Sequence, residues 1–468
     1  MRRPGHFGRR AMIHDLFFVG CLGLFFMFGL WRPFLFVLTF IYIDLVTPQQ
    51  LTYALLQPVP VSLIGFALAF GGWLVAAKHH RPSTSWQQGL MLVLMLYCLM
   101  TTLSADFPVE AQFKWDWVWK AMLFALFLPL TLTTRLRIEA VVLTMVLSVS
   151  VLVVPAGVKT LLTGGGYQEL NLLAETNAGL HESSILACAA IMLLPLLRFL
   201  SRDGKVFAPG PAVRLYALAL GLACLLVTVG TQARTGMICI LAWGLLRLRS
   251  ARHRSLYLAA ALGVGIAALP LLPQSFMDRM ATIEEAQADQ SAATRLAVWK
   301  WTLDYAASHP FGGGFAAYLG NNVRFEVSAR ANAREAKAAD AAAPASAEVI
   351  EDKARAFHSA YFEMLGEQGW PGLSLWLLLH ALGLVSMERL YRRHRPDGRA
   401  PDPWTCHLAQ ALQQAHIIYL VGALFVGIAF LPVALMLVGL EAGFYAVARR
   451  TRDAGHPPLF ARAARPLD

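Results

Sequence analysis

The segment Phe357–Gly372 carries a histidine and two glutamates where a long polar stretch meets an apolar one. His358 can be neutral at pH 7 and accept a proton, which is the requirement for a general base acting on a sugar or protein hydroxyl. Glu363 and Glu367 follow in near-helical register, so they could orient the imidazole or, with Tyr361, line a wet vestibule. An interfacial histidine packed among aromatic side chains is the structural alternative, and the spacing leaves both open.

Two arginines form the second candidate group. The polar turn Gly230–Gly236 lies between two apolar runs and holds Arg234. An arginine near the hydrocarbon region is costly and tends to mark a function or a paired charge, and its planar guanidinium binds phosphate oxygens in a bidentate way. Arg295 begins an amphipathic stretch further along. Snorkelling of Arg234 and solvation of Arg295 are the alternatives, but the glycine flanks of Arg234 favour close approach of a ligand.

A third polar group precedes another apolar run. Asn177, His181 and Glu182 are polar enough to line a cavity, while a helix cap at Asn177 and a buried hydrogen bond at His181 are the structural alternatives. The histidines elsewhere show no metal-ligand spacing with cysteines or acids. A P-loop, a dinucleotide-binding glycine motif and a Gly-x-Ser-x-Gly elbow are all absent from the sequence. We therefore expect no metal and no cofactor.

The composition determines which elements must position these residues. The 468 residues are 57% hydrophobic and only 15% charged, whereas soluble domains are about 45–50% apolar. One spanning helix needs about 20 apolar residues, which sets a ceiling of about 13 spans. The long unbroken apolar runs exclude an outer-membrane barrel. The sequence predicts an all-α polytopic membrane protein, a bundle of about 12–13 transmembrane helices.

The apolar runs place these spans along the chain. The last block, 414–448, would extend about 52 Å as one helix, so we divide it at Pro432. The first two runs, 12–30 and 34–46, are joined by a tight turn, and this hairpin (12–46) is uncertain as a crossing. The other runs are 59–77, 88–104, 116–133, 138–158, 178–200, 214–230, 235–248, 255–272 and 357–387. The predicted divisions are N-terminal transmembrane helices 1–272, an external loop domain 273–356, C-terminal helices 357–448 and a cytoplasmic tail 449–468.

The net charge of +11 follows from membrane topology. Arginine and lysine concentrate in short loops near 135–137, 198–214, 247–254 and 389–399, and such loops face the cytoplasm. The polar stretch 273–357 has nine basic and eleven acidic residues and is predicted on the opposite side, before the penultimate helices. No water-exposed basic domain is evident, so nucleic acid is not an expected partner. None of the six cysteines falls in this external stretch, and no disulfide framework is implied.

Within the external stretch, residues 278–310 have helical spacing and end at His309-Pro310-Phe311-Gly312-Gly313-Gly314, a sharp stop. From Ala329 to Glu348 the sequence is rich in alanine and charged residues, which is typical of a surface helix or a poorly ordered loop.

These pieces, in this order, resemble the O-antigen ligase and polymerase superfamily of bacterial membrane glycosyltransferases. The N-terminal segment has Arg32-Pro33 between two short apolar runs and Thr47-Pro48-Gln49-Gln50-Leu51-Thr52 after them, and with these residues it is similar to O-glycosylation ligases associated with exosortase systems. Many relatives have His-Asn where this chain has His358-Ser359, which removes an amide that could position an acceptor. The motifs that carry the resemblance are Gly-Thr-x-x-Arg-x-Gly from Gly230, Arg-x-x-x-Trp from Arg295, His-Pro-Phe-Gly-Gly-Gly from His309, and His-Ser-x-Tyr-Phe with Glu-x-Gly-x-x-Gly from His358.

The resemblance implies a metal-independent transferase in the bacterial inner membrane, with its active site facing the periplasm. The donor would be an undecaprenyl-pyrophosphate-linked glycan held among membrane lipids. The acceptor would be a hydroxyl of lipid A core sugar, of a protein or of another glycan. His358 would deprotonate the acceptor, and Arg234 and Arg295 would neutralise the leaving pyrophosphate.

Other functions stay open at this stage. A polymerase of O-antigen or exopolysaccharide in the same superfamily is one alternative. A polysaccharide transporter or flippase is another, although such proteins usually place charges and broken helices near the bilayer midplane in repeated halves. A membrane scaffold would leave the polar motifs unexplained.

Overall fold

The computed structural model describes residues 9–76, 84–165, 179–249, 290–327 and 348–454, and single positions at 254, 255, 259 and 263. Helices dominate these ranges, and one small two-stranded sheet accompanies them. The predicted all-α polytopic class is confirmed. The helices are α1 Arg9–Trp31, α2 Phe34–Val46, α3 Pro48–Leu51, α4 Val61–Ala76, α5 Trp86–Leu103, α6 Pro108–Thr131, α7 Arg135–Thr163, α8 Ser183–Asp203, α9 Pro211–Gly230, α10 Arg234–Arg249, α11 Gln290–Ser308, α12 Ala360–His394, α13 Pro403–Ala423 and α14 Pro432–Ala454.

Seven of the described helices are long and apolar enough to cross a membrane by length and composition: α1, α5, α7, α8, α9, α12 and α14. The apolar helices α2 and α4 are shorter. The predicted total of 12–13 spans stays a prediction, and nearly all of the run 255–272 lies outside the described residues. Many large apolar side chains on the outer helices are exposed, as lipid-facing helices require.

Helix boundaries follow the proline positions. The predicted division of the last apolar block is confirmed, because α13 ends at Ala423 and α14 begins at Pro432. Proline suits the first position of a helix, since the amide at that position has no partner within the helix. The start at 414 is wrong, since α13 already begins at Pro403, and His407, Gln410 and Gln413 interrupt the apolar pattern of its first half. The end of the membrane helix predicted at 387 is also wrong, because α12 continues to His394. Hydropathy detects the apolar part of a helix and misses polar turns that extend it.

The helices approach one another closely where small residues meet. A Cβ on Gly422 of α13 would lie 2.3 Å from the sulfur of Cys188 on α8, and one on Gly439 of α14 would lie 2.5 Å from the Ala125 carbonyl of α6. Glycine at such positions lets membrane helices pack without a side chain between their backbones. Among the seven helices that could cross a membrane, α8 is the most buried, because 83% of an 18-residue apolar stretch of it lies inside the protein.

A polar network crosses the C-terminal helices inside this core. His380 Nδ1 lies 2.7 Å from His416 Nε2, and His416 Nδ1 lies 3.0 Å from both carboxylate oxygens of Glu441. The three side chains belong to α12, α13 and α14 and are at most 2% exposed. The network therefore joins these helices where lipid offers no polar partner.

The loops predicted on the cytoplasmic side lie together at one end of the bundle. The Arg135 side chain at the start of α7 binds Asp402, and His407 Nδ1 lies 2.9 Å from Asp203. Glu139 of α7 accepts hydrogen bonds from the amide of Val206 at 2.6 Å and from the amide of its neighbour Lys205. These contacts join the loops before α7, α9 and α13. Which side of the membrane they face stays a prediction.

The loop domain contains α11 and the antiparallel strands β1 Asn322–Val327 and β2 Glu348–Lys353. The register pairs Asn322 with Lys353 and Val327 with Glu348. The predicted helix 278–310 is described from Gln290, and its predicted end at His309-Pro310 is confirmed. The sheet was not predicted from the sequence. The Ala-rich segment between the strands lies outside the described residues.

Candidate functional site

His358 lies between β2 and α12 with its side chain exposed. Both neighbours are buried: Phe357 packs with Val298 and Val323 in the small core of the loop domain, and Ser359 donates to the Ala423 carbonyl at 3.5 Å. The backbone of His358 has φ +49, a left-handed conformation that is uncommon for a non-glycine residue. The chain thus holds this residue from both sides and presents its imidazole at the surface.

The imidazole has an unusual electrostatic environment. Desolvation by the surrounding protein lowers the pKa of His358, and the positive charges of Arg295 and Arg355 lower it further. Within the described ranges its ring nitrogens make no hydrogen bond. His358 is therefore neutral at pH 7 and available to a hydroxyl that approaches from outside.

Arg295 is positioned by α11. One turn further along that helix, Trp299 stacks on Phe362 of α12 with ring centroids 4.8 Å apart and planes 6° from parallel. The indole of Trp299 also donates to the Phe357 carbonyl at 2.9 Å. These contacts place the start of α11 beside His358, so the structure brings two of the predicted site residues together.

Arg355 is a site residue that sequence reasoning missed. Its amide donates to Asn321 Oδ1 at 2.9 Å, its carbonyl accepts from Asn321 Nδ2 at 2.6 Å, and its guanidinium pairs with Asp352. These bonds fix the loop that leads from β2 to His358. No motif in the sequence indicated this residue. Its position depends on a sheet whose pairing only the fold defines.

Arg234 begins α10 after a turn that is buried. Thr231 and Gln232 are 3% and 5% exposed, and Gln232 adopts φ +53. A Cβ on Gly236 would meet Thr228 at 2.7 Å, so this glycine lets α10 pack closely against α9. Arg234 itself is half-buried.

Arg234 and His358 lie toward the same end of the bundle. Along α10, the Cys239 thiol donates to the Ile418 carbonyl of α13 at 3.8 Å. Near the start of α12, Tyr361 donates to the Leu420 carbonyl, which also belongs to α13, at 3.2 Å. The contacts of both helices thus reach the C-terminal part of α13.

Tyr361 and Glu363 pack at the base of this region. The Tyr361 ring meets Trp376 edge-on at 5.3 Å. Glu363 is 7% exposed and accepts from Lys114 Nζ at 2.6 Å and from the Ala429 amide at 3.1 Å. Neither side chain hydrogen-bonds to His358 among the described contacts. A vestibule role for both residues stays a prediction.

Lys114 of α6 is a second residue that sequence reasoning missed. Its ammonium binds Glu363 and also both carboxylate oxygens of the fully buried Glu367, at 2.9 and 2.7 Å. The rings of Phe315 and Phe430 lie 5.3 and 5.8 Å from it. A lysine near a predicted membrane boundary needs a partner, and that cost is the signal that could have indicated it.

The glycine-rich turn after α11 docks on a kink in α12. Gly312 has φ +83 and Gly369 has φ +64, and a Cβ on either would lie within 2.5 Å of backbone atoms of the other segment. The Gly314 amide donates to the Glu367 carbonyl at 2.9 Å, and the Trp370 amide donates to the Pro310 carbonyl at 3.0 Å. These motif residues join two backbones.

The third predicted group is only partly described. Asn177 lies outside the described residues, so its predicted roles remain open. His181 Nε2 lies 3.1 Å from Thr47 Oγ1, and desolvation lowers the pKa of His181. The described cap of α8 is Glu182, whose carboxylate accepts from the Ile185 amide at 2.7 Å. The predicted start of this span at 178 is therefore wrong, because a short 3₁₀ turn, Gly179–His181, precedes the helix.

No cluster of three or more metal-ligating side chains occurs in the part of the chain that the structure describes. Metal independence stays a prediction of the sequence.

Comparison with known families matches two segments of the chain to different family models. Residues 217–377 match the family model described as O-Antigen ligase. Residues 13–205 match one described as Family of unknown function (DUF5935). The curated proteins gave no match. The first match contains Arg234, Arg295 and His358, whereas Lys114 lies in the second.

Proposed function

Since the chain belongs to the O-antigen ligase and polymerase superfamily, we propose that it transfers a glycan from an undecaprenyl-pyrophosphate-linked donor to an acceptor hydroxyl. The family gives it a glycosyl-transfer or ligase role in O-antigen synthesis and makes it a multi-pass bacterial membrane protein. The observation that carries the proposal is an exposed imidazole, without a hydrogen bond among the described residues, beside Arg295 and Arg355.

His358 takes the proton of the acceptor hydroxyl while that oxygen attacks the anomeric carbon of the donor. The bond from this carbon to the pyrophosphate oxygen breaks, and the pyrophosphate leaves with the bonding electrons. Arg295 and Arg355 stabilise its growing negative charge. Arg234, which lies toward the same end of the bundle, contributes to this stabilisation. Single displacement would invert the anomeric centre. We place this reaction at the periplasmic face of the inner membrane.

Donor binding has a second electrostatic effect. In the free protein the two arginines oppose protonation of His358. A bound pyrophosphate offsets their charge, so it raises the pKa of His358 and makes the imidazole a stronger base. The base is then most effective when the donor is in place.

The test uses membranes that contain the protein, lipid-linked glycan and an acceptor, with the product separated by gel. His358→Ala should abolish transfer while the protein still inserts. His407→Ala removes an exposed histidine at the opposite end of the bundle and should leave transfer unchanged. Retained transfer by a well-expressed His358→Ala variant would refute the general-base role.

A deletion strain separates ligase from polymerase. Full-length polymer that stays on its lipid carrier indicates a ligase, and we propose this outcome. Single repeat units indicate a polymerase. Mass spectrometry of surface glycoconjugates from the same strain identifies the acceptor as lipid A core, protein or glycan. Movement of lipid-linked glycan across vesicles without a new glycosidic bond would indicate a transporter instead.

A further inference from the structure

Lys114, Glu363 and Glu367 form a buried ionic cluster below His358. Lys114 contributes from α6, and the glutamates lie one turn apart on α12, with Nζ to carboxylate distances of 2.6 to 2.9 Å. Both glutamates are at most 7% exposed. We call this group the ionic triad. It places one ammonium group between two carboxyl groups in a site with little access to water.

Each carboxylate of the ionic triad also binds a backbone amide outside the helices. Glu367 Oε1 accepts from the Ala316 amide at 3.0 Å, and Ala316 closes the turn that follows α11. Glu363 Oε2 accepts from the Ala429 amide at 3.1 Å, in the segment between α13 and α14. The triad therefore fixes two non-helical segments against the first turns of α12.

These two segments flank the proposed site. The turn at Ala316 is connected through the glycine-rich segment to the end of α11 at Ser308, the helix that carries Arg295. The segment at Ala429 follows Ala423, whose carbonyl accepts from the hydroxyl of Ser359, the residue after His358. A shift in either segment would move a site residue relative to the other.

Lys114 is the member on which the triad depends. Two buried carboxylates without a cation repel each other, and one of them must move toward water or become protonated. Either change weakens its acceptor contact to the Ala316 or Ala429 amide. The faces of Phe315 and Phe430 provide additional stabilisation for the ammonium group.

We propose that Lys114, through Glu363 and Glu367, is a positioning residue that holds Arg295 of α11 over His358 of α12. It does not touch the substrate. The inference rests on the proposed function, because the geometry it maintains is that of the proposed base and its neighbouring arginine.

The test compares three variants. Lys114→Met removes the charge, Lys114→Arg keeps it, and Lys120→Met is the matched control. Lys120 lies on the same helix and pairs with Asp116 instead of with the site. Transfer kinetics give kcat and the acceptor KM. Modification of His358 by diethyl pyrocarbonate at a series of pH values, read on its own peptide by mass spectrometry, gives the pKa of His358 without any need for activity.

We expect Lys114→Met to lower kcat on the order of a hundredfold, as misplacement by about 1 Å does, with little change in the acceptor KM. The pKa of His358 should rise because the positive charge of Arg295 moves away. Lys114→Arg should restore most of both values, and Lys120→Met should alter neither. If Lys114→Met does not accumulate, Glu367→Ala keeps the Lys114–Glu363 pair, removes the acceptor for Ala316 and carries the same test.

An unchanged kcat and an unchanged pKa of His358 in a folded Lys114→Met variant would overturn the inference. Loss of transfer with an unchanged pKa would overturn it as well, because Lys114 would then act without moving Arg295. If His358→Ala retained transfer, the proposed function would fail. The pKa measurement would still decide whether Lys114 positions the two residues.

Discussion

Gly369→Ala should open the contact between the glycine-rich turn and α12. A Cβ at this position would lie 2.3 Å from the Pro310 carbonyl oxygen and 2.4 Å from the Gly312 amide nitrogen. Both are backbone atoms, so no side-chain rotation relieves the overlap. The backbone of Gly369, at φ 64 and ψ −169, is in a region that only glycine populates freely.

Two costs determine the size of the effect. Holding alanine in this conformation costs about 1–3 kcal/mol. Separating the two backbones loses the hydrogen bond from the Trp370 amide to Pro310, a contribution of about 1 kcal/mol. We expect Gly369→Ala to lower the free energy of unfolding by about 2–4 kcal/mol, and to slow transfer because α11 shifts with the turn.

Unfolding in detergent, followed by circular dichroism, measures the stability, and the gel assay measures transfer. Gly89→Ala is the matched control, since a Cβ there meets nothing within 4 Å and the residue lies in α5. Its stability should be unchanged or higher by about 1 kcal/mol. If Gly369→Ala were as stable and as active as Gly89→Ala, the turn would not be held as the structure indicates.

Three further substitutions test separate parts of the structure. Arg355→Gln removes a positive charge near His358, so the pKa of His358 rises and the acidic limb of the pH–rate profile moves to higher pH; a limb that stays in place would contradict this. Tyr361→Phe loses the hydrogen bond to α13 and should destabilise the protein by about 1 kcal/mol in detergent unfolding, with transfer retained. His416→Leu leaves Glu441 buried without its partner and should cost about 3–5 kcal/mol by the same measurement, whereas an unchanged stability would show that the network contributes little.

Periodicity and composition were sufficient to predict the fold class, an all-α polytopic membrane protein. Apolar runs of about 20 residues have few alternatives to helix in a bilayer, because no water satisfies an exposed backbone. Pro432 marked the start of α14 for an equally local reason, since proline fits the first turn of a helix. The start of α13 at Pro403 was missed because His407, Gln410 and Gln413 interrupt the apolar pattern of its first half.

Residues of the candidate site could be predicted only where a single short segment of sequence contained the pattern. The peptide around His358 indicated a base in the residue types alone, and its exposure is consistent with that role. Lys114 could not be connected to Glu363 in the same way, because 249 positions separate them and the contact depends on how α6 packs against α12. The position of Arg355 beside His358 could not be predicted either, because it depends on the pairing of β1 with β2.

The proposed reaction gives the loop domain a role that the membrane helices alone would not fill. Arginines within the hydrocarbon would be costly, and the lipid chain of a donor needs apolar surroundings. Helix α11 brings Arg295 to the edge of the bundle from outside, and the glycine-rich turn and the ionic triad hold it beside His358. In the proposed reaction, the pyrophosphate would meet positive charge at the surface while its lipid stays in the membrane. Arg295 and Arg355 add to desolvation in lowering the pKa of His358, and in the proposed reaction a bound donor would offset their charge, so the binding of the leaving group would also determine when the base is strongest.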